Sequence, residues 1–205
     1  FANQIFLFCG AISTKLNRMK LSKLLLLLIS LCLFHQTEAN QRYQQKIDSI
    51  ENSIQLLTKN KKWQQAISGL HNLSNVYELE GDWKNYHKVV ERMINRSKQI
   101  DDKARLVECY NKLGISNCCM GNNQEAIKQF SKAIELCKTL NDKDRLSNFY
   151  ENIALVYKDM GAYQKGVAYQ LKSLEIRKPI NHPRLFNNYI GLAALAELVN
   201  DTAKQ

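Results

Sequence analysis

Proline is nearly missing from this sequence: only 2 of its 205 residues are proline, and only 8 are glycine. A β-sandwich or β-barrel needs many tight turns, which these two residues supply, so the composition argues against both architectures. No segment sustains the alternation of apolar and polar residues that a half-buried strand would show. The apolar content of 45% is enough for a well-packed core. The sequence therefore favours an all-α protein.

Signatures of catalysis are also missing. The chain has no GxSxG nucleophile motif, no P-loop, no HExxH zinc motif and no GxGxxG phosphate-binding loop. The adjacent Cys118 and Cys119 lack the CxxC or HxxxH spacing that a zinc site needs. His71, His87 and His182 are isolated from one another. We therefore expect no enzymatic activity, no metal and no cofactor in this segment.

The net charge of +10 does not form a basic stripe. Basic residues alternate with acidic ones, as in NDKDRL at 141–146, which is typical of a solvated helix face. A nucleic-acid surface would need clustered basic residues with aromatic side chains along one face. We expect protein or peptide partners and no nucleic acid.

The N-terminal region has the pattern of a secretory signal peptide. The basic segment Met19 to Lys23 precedes eleven apolar or small residues, Leu24 to Phe34. The following HQTEA ends in the small residue Ala39, with Thr37 two residues earlier. Eleven helical residues rise only about 16 Å, too little for a bilayer core of about 30 Å. We predict a signal peptide over 19–39 and an exported protein, periplasmic or membrane-associated. The alternative is a retained N-terminal membrane anchor.

Residues 1–18 precede the first methionine, and we interpret them as upstream sequence translated in frame. They are not expected to belong to the fold. Membrane association is expected only through the N-terminal signal or anchor, or through a segment that follows Gln205.

Turn signals recur about every twenty residues. Gly81, Gly121 and Gly161 lie forty residues apart in similar contexts. Polar turns fall midway between them and continue the same spacing in both directions, at 59–62, 99–103, 140–144, 178–183 and 199–202. A fixed period of this kind is typical of repeat architectures.

The segments between the turns are predicted to be helices. Apolar residues follow the i, i+3 and i+4 spacing, as in Leu106, Tyr110 and Leu113. Short turns make consecutive helices antiparallel, so the helices form a stack of hairpins. The predicted helices are 41–58, 63–80, 83–98, 103–119, 123–139, 143–159, 163–177 and 184–199.

Residues 107–140 resemble a tetratricopeptide repeat. Six positions carry the resemblance: Tyr110, Leu113, Gly114, Ala126, Phe130 and Ala133. It weakens in 147–178, where Gly166 and Ser173 occupy the two small positions, and in 67–100, where Tyr86 and Met93 occupy them. The resemblance implies a right-handed solenoid of antiparallel helical hairpins, a superhelix. We assign 40–62 to an N-terminal helix and 63–205 to the repeats, the last one incomplete.

The small residues of this pattern have a packing role. Gly114, Ala126 and Ala133 let the axes of two helices approach closely, and Phe130 fills the space between them. The forty-residue spacing is longer than the family's usual period of about 34. In this respect the chain is similar to the long-repeat arrays of bacterial regulatory proteins.

Two cysteines of the central hairpin are expected at the same end of the antiparallel pair. Cys109 lies near the start of one helix and Cys137 near the end of the other. Export would permit a disulfide between them. The alternative, which we favour, is two small buried apolar side chains.

The resemblance also implies a groove lined by the first helix of each repeat. The candidate site residues are His71, Asn72, Asn75, Glu108, Asn111, Lys112, Asn148, Glu151, Asn152 and Lys158. Asparagine side chains both donate and accept, which suits the backbone of an extended peptide or of a partner helix. The family's clamp for a terminal carboxylate is not expected, because Lys112 and Lys158 are opposed by several glutamates.

We therefore expect an exported scaffold that binds a peptide or partner protein in this groove. The alternative is the periplasmic sensory region of a membrane-bound signalling regulator, with a histidine kinase or DNA-binding output domain further along the chain. The apolar residues of the last helix, such as Leu192 and Leu195, would then be covered by a helix that follows. The sequence does not identify the ligand.

Overall fold

The computed structural model describes residues 33–202. The upstream segment 1–18 and most of the predicted signal peptide, 19–32, lie outside the described residues. The density of contacts divides the chain into two compact units, 1–49 and 50–205. In the first unit residues 33–49 are helical, so helical backbone begins before the predicted start at residue 41.

The second unit is a succession of helices. They are α1 (50–59), α2 (Trp63–Leu79), α3 (Trp83–Gln99), α4 (Lys103–Cys119), α5 (Asn123–Thr139), α6 (Lys143–Asp159), α7 (Tyr163–Arg177) and α8 (Leu185–Thr202). A short 3-10 helix, Lys178–Ile180, separates the last two. No strand occurs in residues 33–202. From α2 onward each helix packs on the next, which confirms the all-α solenoid of helical hairpins.

The twenty-residue spacing has a specific backbone origin. Seven of the described residues have positive φ angles, and each lies twenty residues from the next: Lys61, Gly81, Asp101, Gly121, Asn141, Gly161 and Asn181. After each of them an N–H donates to the carbonyl five residues earlier, for example Asn122 to Asn117 at 2.8 Å. These are the left-handed residue and the long hydrogen bond of the Schellman motif. Glycine and asparagine are suited to this conformation.

The residue that closes one helix also begins the next. Asp82, Asp102 and Asp142 are N-caps whose carboxylates accept from the N–H three residues later, at 3.1, 2.9 and 3.0 Å. A side-chain cap satisfies an N–H that the first turn leaves without a partner. The turns can therefore be short, and the period is kept.

The prediction of a turn at 199–202 is wrong. Helix α8 continues to Thr202, three residues beyond its predicted end. Each of the seven preceding helix–helix turns contains a left-handed residue, whereas no residue of 182–202 has a positive φ angle. The polar sequence VNDT resembles a turn but does not form one.

The core of the central hairpin follows the predicted packing. Val107, Ala133 and Ile153 are fully buried, and Phe130 is 2% exposed. A Cβ atom on Gly114 would lie 2.6 Å from Cδ1 and Cζ of Phe130, closer than real Cβ contacts allow. The absence of a side chain at Gly114 therefore creates the space that the phenyl ring occupies, as the sequence predicts.

All four cysteines after the predicted signal peptide are free thiols. Cys109 and Cys137 are both fully buried, so the structure supports two small buried side chains and contains no disulfide between them. Burial raises the pKa of Cys109 to about 12 and that of Cys137 to about 11. Both thiols are therefore protonated and unreactive at neutral pH.

Among residues 33–202, no helix combines the length and the apolar character needed to cross a bilayer.

Candidate functional site

The first helices of the hairpins, α2, α4 and α6, present their polar side chains on one face. Lys112 Nζ of α4 donates to Asn75 Oδ1 of α2 at 3.1 Å. Asn152 Nδ2 of α6 is 3.4 Å from Asn111 Oδ1 of α4. We call this surface the groove face. Four of the residues predicted from the sequence thus meet across neighbouring helices.

A pocket of about 710 Å³ opens between α4 and α6 on the groove face. Its lining residues are Asp102, Ala104, Arg105, Val107, Glu108, Asn111, Arg145, Asn148, Phe149, Asn152 and Arg184. Four of them were predicted as site residues: Glu108, Asn111, Asn148 and Asn152. The three arginines were not. We call it the α4–α6 pocket.

The three arginines differ in how far they are neutralised. Arg105 Nη1 lies 2.6 Å from Glu108 Oε2, and Arg145 Nε lies 2.5 Å from Asp142 Oδ2. Arg184 forms no ion pair within the described residues, and its Nη1 donates to Asn148 Oδ1 at 3.1 Å. One guanidinium therefore keeps an uncompensated charge at the rim of the pocket.

The amide of Asn148 is held in a single orientation. Its Oδ1 accepts from Arg177 Nη2 at 2.5 Å and from Arg184 Nη1 at 3.1 Å. A guanidinium can only donate, so the accepting atom must be the oxygen. No described residue accepts from the Nδ2 of Asn148, which remains a donor for a ligand.

Arg177, at the end of α7, is fully buried and anchors this arrangement. Its Nη2 lies 2.7 Å from Glu151 Oε2, its Nε donates to Ser147 Oγ at 3.0 Å, and its Nη1 donates to Asn188 Oδ1 at 2.9 Å. A buried charge is tolerated only when it is paired and hydrogen-bonded, as here at every nitrogen. The guanidinium thereby connects α6 to α8 beneath the groove face.

A second, smaller pocket of about 220 Å³ lies between α6 and α8. It contains Glu151 and Lys158, both predicted site residues, but its character comes from apolar side chains. Leu155 is 48% exposed and Ile190 is 53% exposed, although both are large aliphatic residues. We call it the α6–α8 pocket.

The predicted residues of α2 line neither pocket. Asn72 is exposed, and the Nδ1 of His71 is buried without a hydrogen-bond partner among the described residues. Burial, together with the positive charge of Lys112, lowers the pKa of His71. Lys112 itself lies 3.6 Å from Glu78 Oε2 and stacks over the ring of Tyr86, so it is already engaged.

A repeated signal could have indicated two of the missed arginines. Arg105 and Arg145 each follow a capping aspartate by three residues and lie forty residues apart. Arg177 falls where the other hairpins have Ser97 and Cys137, which marks it as unusual. Arg184 carries no comparable signal.

Within residues 33–202 no group of three or more histidine, cysteine, aspartate or glutamate side chains is placed to hold a metal ion. His182 Nε2 and Asp144 Oδ1 are 2.7 Å apart, but no third such side chain joins them among the described residues.

Stacked helical hairpins of fixed period, with a polar groove along their first helices, define a helical-repeat scaffold. The sequence identifies which kind. Two models of the tetratricopeptide repeat match the chain, one over residues 106–144 and the other over 147–179. The protein is a tetratricopeptide repeat protein, which confirms the resemblance noted in the sequence.

Solved structures with the same fold include three informative examples. BtubC (BKLC) from P. vanneervenii has a TM-score of 0.62 and 16% identity, over 75% of this chain and 65% of that one. A putative kinesin light chain with TPR-like repeats from Podospora anserina has a TM-score of 0.63 and 15% identity, over 80% and 82%. A Rap protein complexed with Competence and Sporulation Factor has a TM-score of 0.56 and 13% identity, over 74% and 48%.

At these identities the likeness concerns the fold alone. The chain spans 65% of the length of BtubC and 48% of that of the Rap protein. No curated protein matches the sequence.

Proposed function

We propose that the groove face binds an extended peptide or an extended segment of a partner protein. A tetratricopeptide fold supports a protein-interaction scaffold, and the Rap structure shows a related fold complexed with a factor. The observation that carries the proposal is the set of amides at the α4–α6 pocket. The bond between Asn152 Nδ2 and Asn111 Oδ1 leaves the Oδ1 of Asn152 as an acceptor and the Nδ2 of Asn111 as a donor.

This combination matches a peptide backbone. Each residue of an extended chain brings one N–H donor and one C=O acceptor, and both must find partners when they leave water. Asn111 and Asn148 can donate to backbone carbonyls, and Asn152 can accept from a backbone N–H. All three are half-buried, so water competes with a ligand less than it would at a fully exposed surface.

Binding rather than catalysis is the activity that we assign to this surface. The residues that line the α4–α6 pocket include no serine, threonine, cysteine, histidine, lysine or tyrosine. Each of its two lining carboxylates already accepts a hydrogen bond, Asp102 as a helix cap and Glu108 from Arg105. The pocket thus offers hydrogen bonds and charge without a nucleophile.

Selection from a displayed library of short random peptides tests the proposal. The full chain serves as bait, and the affinities of the enriched peptides are measured by isothermal titration calorimetry. We expect Asn111→Ala and Asn152→Ala each to weaken binding by about ten-fold, because a buried hydrogen bond of the complex is lost. As a control, Asn95→Ala removes an amide from α3, outside the groove face, and should leave the affinity unchanged.

Two results would contradict the proposal. One is failure to enrich any peptide, and the other is enriched peptides whose affinity is the same for the Asn111 and Asn152 variants as for the original chain. Circular dichroism of each variant separates loss of binding from loss of folding.

We further propose that the protein is exported by the segment Met19 to Ala39. The support is its basic start, its apolar run and its small residues near position 39. N-terminal sequencing of the exported protein should give Asn40 as its first residue. A mature protein that still begins at Met19 would instead indicate an N-terminal membrane anchor.

The gene sequence that follows the codon for Gln205 tests the alternative of a membrane-bound regulator. An apolar segment of about 20 residues before a kinase or helix-turn-helix domain would show a regulator of that type. A stop codon would favour the exported scaffold.

A further inference from the structure

We propose that the α4–α6 pocket binds the side-chain carboxylate of an acidic residue in the peptide, while the α6–α8 pocket receives an apolar side chain of the same peptide. This inference rests on the proposed function, because it specifies which peptides the groove face selects.

The hydrogen-bonding inventory of the α4–α6 pocket calls for a ligand rich in acceptors. Arg145 uses Nε on Asp142 and Nη1 on the carbonyl of Ala104, so its Nη2 has no acceptor among the described residues. Arg184 uses only Nη1, on Asn148, and its Nε and Nη2 have no acceptor there either. A carboxylate has two oxygens that accept the paired N–H groups of a guanidinium.

The charges that line the pocket favour a ligand group with a single negative charge. Arg105 and Arg145 are each paired with a carboxylate, whereas Arg184 has no such partner among the described residues. One ligand carboxylate therefore neutralises the one uncompensated guanidinium. A phosphate dianion would leave an excess negative charge beside Asp102 and Glu108, which also line the pocket.

The position of the pocket favours a side chain over the C-terminus of a peptide. The α4–α6 pocket lies in the middle of the groove face, with Asn75 and Lys112 on the α2 side and the α6–α8 pocket on the other. A peptide that ended at Arg184 would leave one half of this surface unused. A peptide that continues through can also place an apolar residue against Leu155 and Ile190.

The spacing between the two residues follows from helix geometry. Asn148 of the first pocket and Leu155 of the second are about 10 Å apart along α6. The pockets also lie on opposite sides of α6, which adds a lateral distance of about 10 Å. An extended peptide covers about 3.3 Å per residue, so the acidic and apolar residues should be about four positions apart.

Selection from the peptide library on the full chain gives the first test. The enriched sequences should carry aspartate or glutamate about four positions from leucine, isoleucine, valine or phenylalanine. Enriched peptides without an acidic residue would overturn this inference while leaving the proposed function in place. Failure to enrich any peptide would contradict both.

A double-mutant cycle gives the second test. An enriched peptide is synthesised with blocked termini, once with its glutamate and once with glutamine instead, and both are titrated against the full chain and its Arg184→Gln variant. We expect the glutamate peptide to lose about ten-fold in affinity when Arg184 is replaced. The glutamine peptide should bind both proteins equally.

Matched controls exclude a general effect of charge. Lys128→Gln removes one positive charge from an exposed position of α5, where Lys128 pairs with Glu125, and should not change the affinity. Equal losses for Arg184→Gln and Lys128→Gln, or for both peptides, would overturn the inference. Tighter binding of the same peptide with a free C-terminus would show that a terminal carboxylate occupies the pocket instead.

Discussion

The central hairpin, α4 and α5, and the following hairpin, α6 and α7, have the same backbone plan and different interiors. Phe130 and Gln170 occupy equivalent positions forty residues apart, and each is 2% exposed. Cys137 and Arg177 are a second such pair, both fully buried. At these two buried positions the first hairpin has an aromatic ring and a thiol, and the second has an amide and a guanidinium.

The twenty-residue period determines the turn geometry, whereas the side chains determine what fills the core of each hairpin. The turn geometry repeats in both hairpins whatever fills the core. In the central hairpin the buried cluster is apolar, with Val107, Phe130 and Ile134 among its members, and its stability comes from burial. In the next hairpin the buried Arg177 also holds Asn148 and Glu151, two predicted site residues, so packing and site are connected.

In the first pair, Phe130 and Gln170, removal of the phenyl ring should have the largest effect on stability. We expect Phe130→Ala to lower the free energy of unfolding by about 3–5 kcal/mol, because it leaves a cavity beside Gly114 and Phe149. Gln170→Ala should cost only about 1 kcal/mol, since its Nε2 contacts with two carbonyls of α8 are long, at 3.4 and 3.5 Å. Urea denaturation measures both, and equal losses would contradict the distinction between the two cores.

For the second pair, Cys137 and Arg177, replacement by alanine should cost more stability in the second hairpin than in the first. Arg177→Ala should cost about 3 kcal/mol, because it leaves the carboxylate of Glu151 without its partner. The value lies at the low end for a buried pair, since the side chain of Glu151 is 19% exposed. Cys137→Ala should cost about 1 kcal/mol through the lost apolar volume.

Glu151→Gln provides the control for this pair. Added to Arg177→Ala, it should restore part of the lost stability, because no unpaired charge is left. A double variant that is less stable by the full sum of the two single changes would contradict the account of Arg177.

A smaller effect is expected from filling the space at Gly114. Gly114→Ala should lower the free energy of unfolding by about 1–3 kcal/mol, because the new Cβ collides with the ring of Phe130. Phe130→Leu, which removes the ring, should make the same alanine less costly. If the loss were as large in the Phe130→Leu background as in the original chain, the ring would not be the cause.

The smallest effect should come from the helix cap at Asp142. Burial tends to raise the pKa of this carboxyl, but hydrogen bonds from the N–H and guanidinium of Arg145 outweigh it and lower the pKa below its usual value of 3.8. The carboxylate therefore contributes stability above that pH, and the contribution is lost as the pH falls through the lowered pKa. Asp142→Ala should cost about 1 kcal/mol at neutral pH.

Replacement of the N-cap residue of the preceding helix, α5, by alanine gives the control. Asn122 forms no side-chain cap hydrogen bond, so Asn122→Ala should change stability little at any pH. The difference between the original chain and the Asp142→Ala variant should shrink in acid. A difference that stays constant down to the lowest pH at which the chain is folded would contradict the role of the carboxylate.

Most of the fold could be predicted because its determinants are local. Gly81, Gly121 and Gly161 mark left-handed residues of alternate turns. Asp82, Asp102 and Asp142 mark the starts of α3, α4 and α6. The predicted bounds of α2 to α7 lie within one residue of the observed ones. The end of α8 was missed because the polar residues at 199–202 favour a turn by composition, although helical backbone continues through them.

The site was less accessible to sequence analysis because its partners come from different hairpins. Asn111 and Asn152 were predicted as groove residues, but their contact across forty-one positions required the structure. The sequence indicated Lys112 and Lys158 as the cations of the groove, whereas Arg145 and Arg184 line the α4–α6 pocket. A charged residue in the last turn of a helix is usually solvated, and the burial of Arg177 depends on Ser147 and Asn188, thirty and eleven residues away.

Photo-cross-linking of a selected peptide shows directly whether the peptide binds on the groove face, while the contacts between the helices serve packing. The peptide carries a diazirine in place of its apolar side chain, and the cross-linked residues of the full chain are identified by mass spectrometry. We predict cross-links in α6 and α8, at residues such as Leu155 and Ile190. Cross-links confined to α3 and α5 would contradict it.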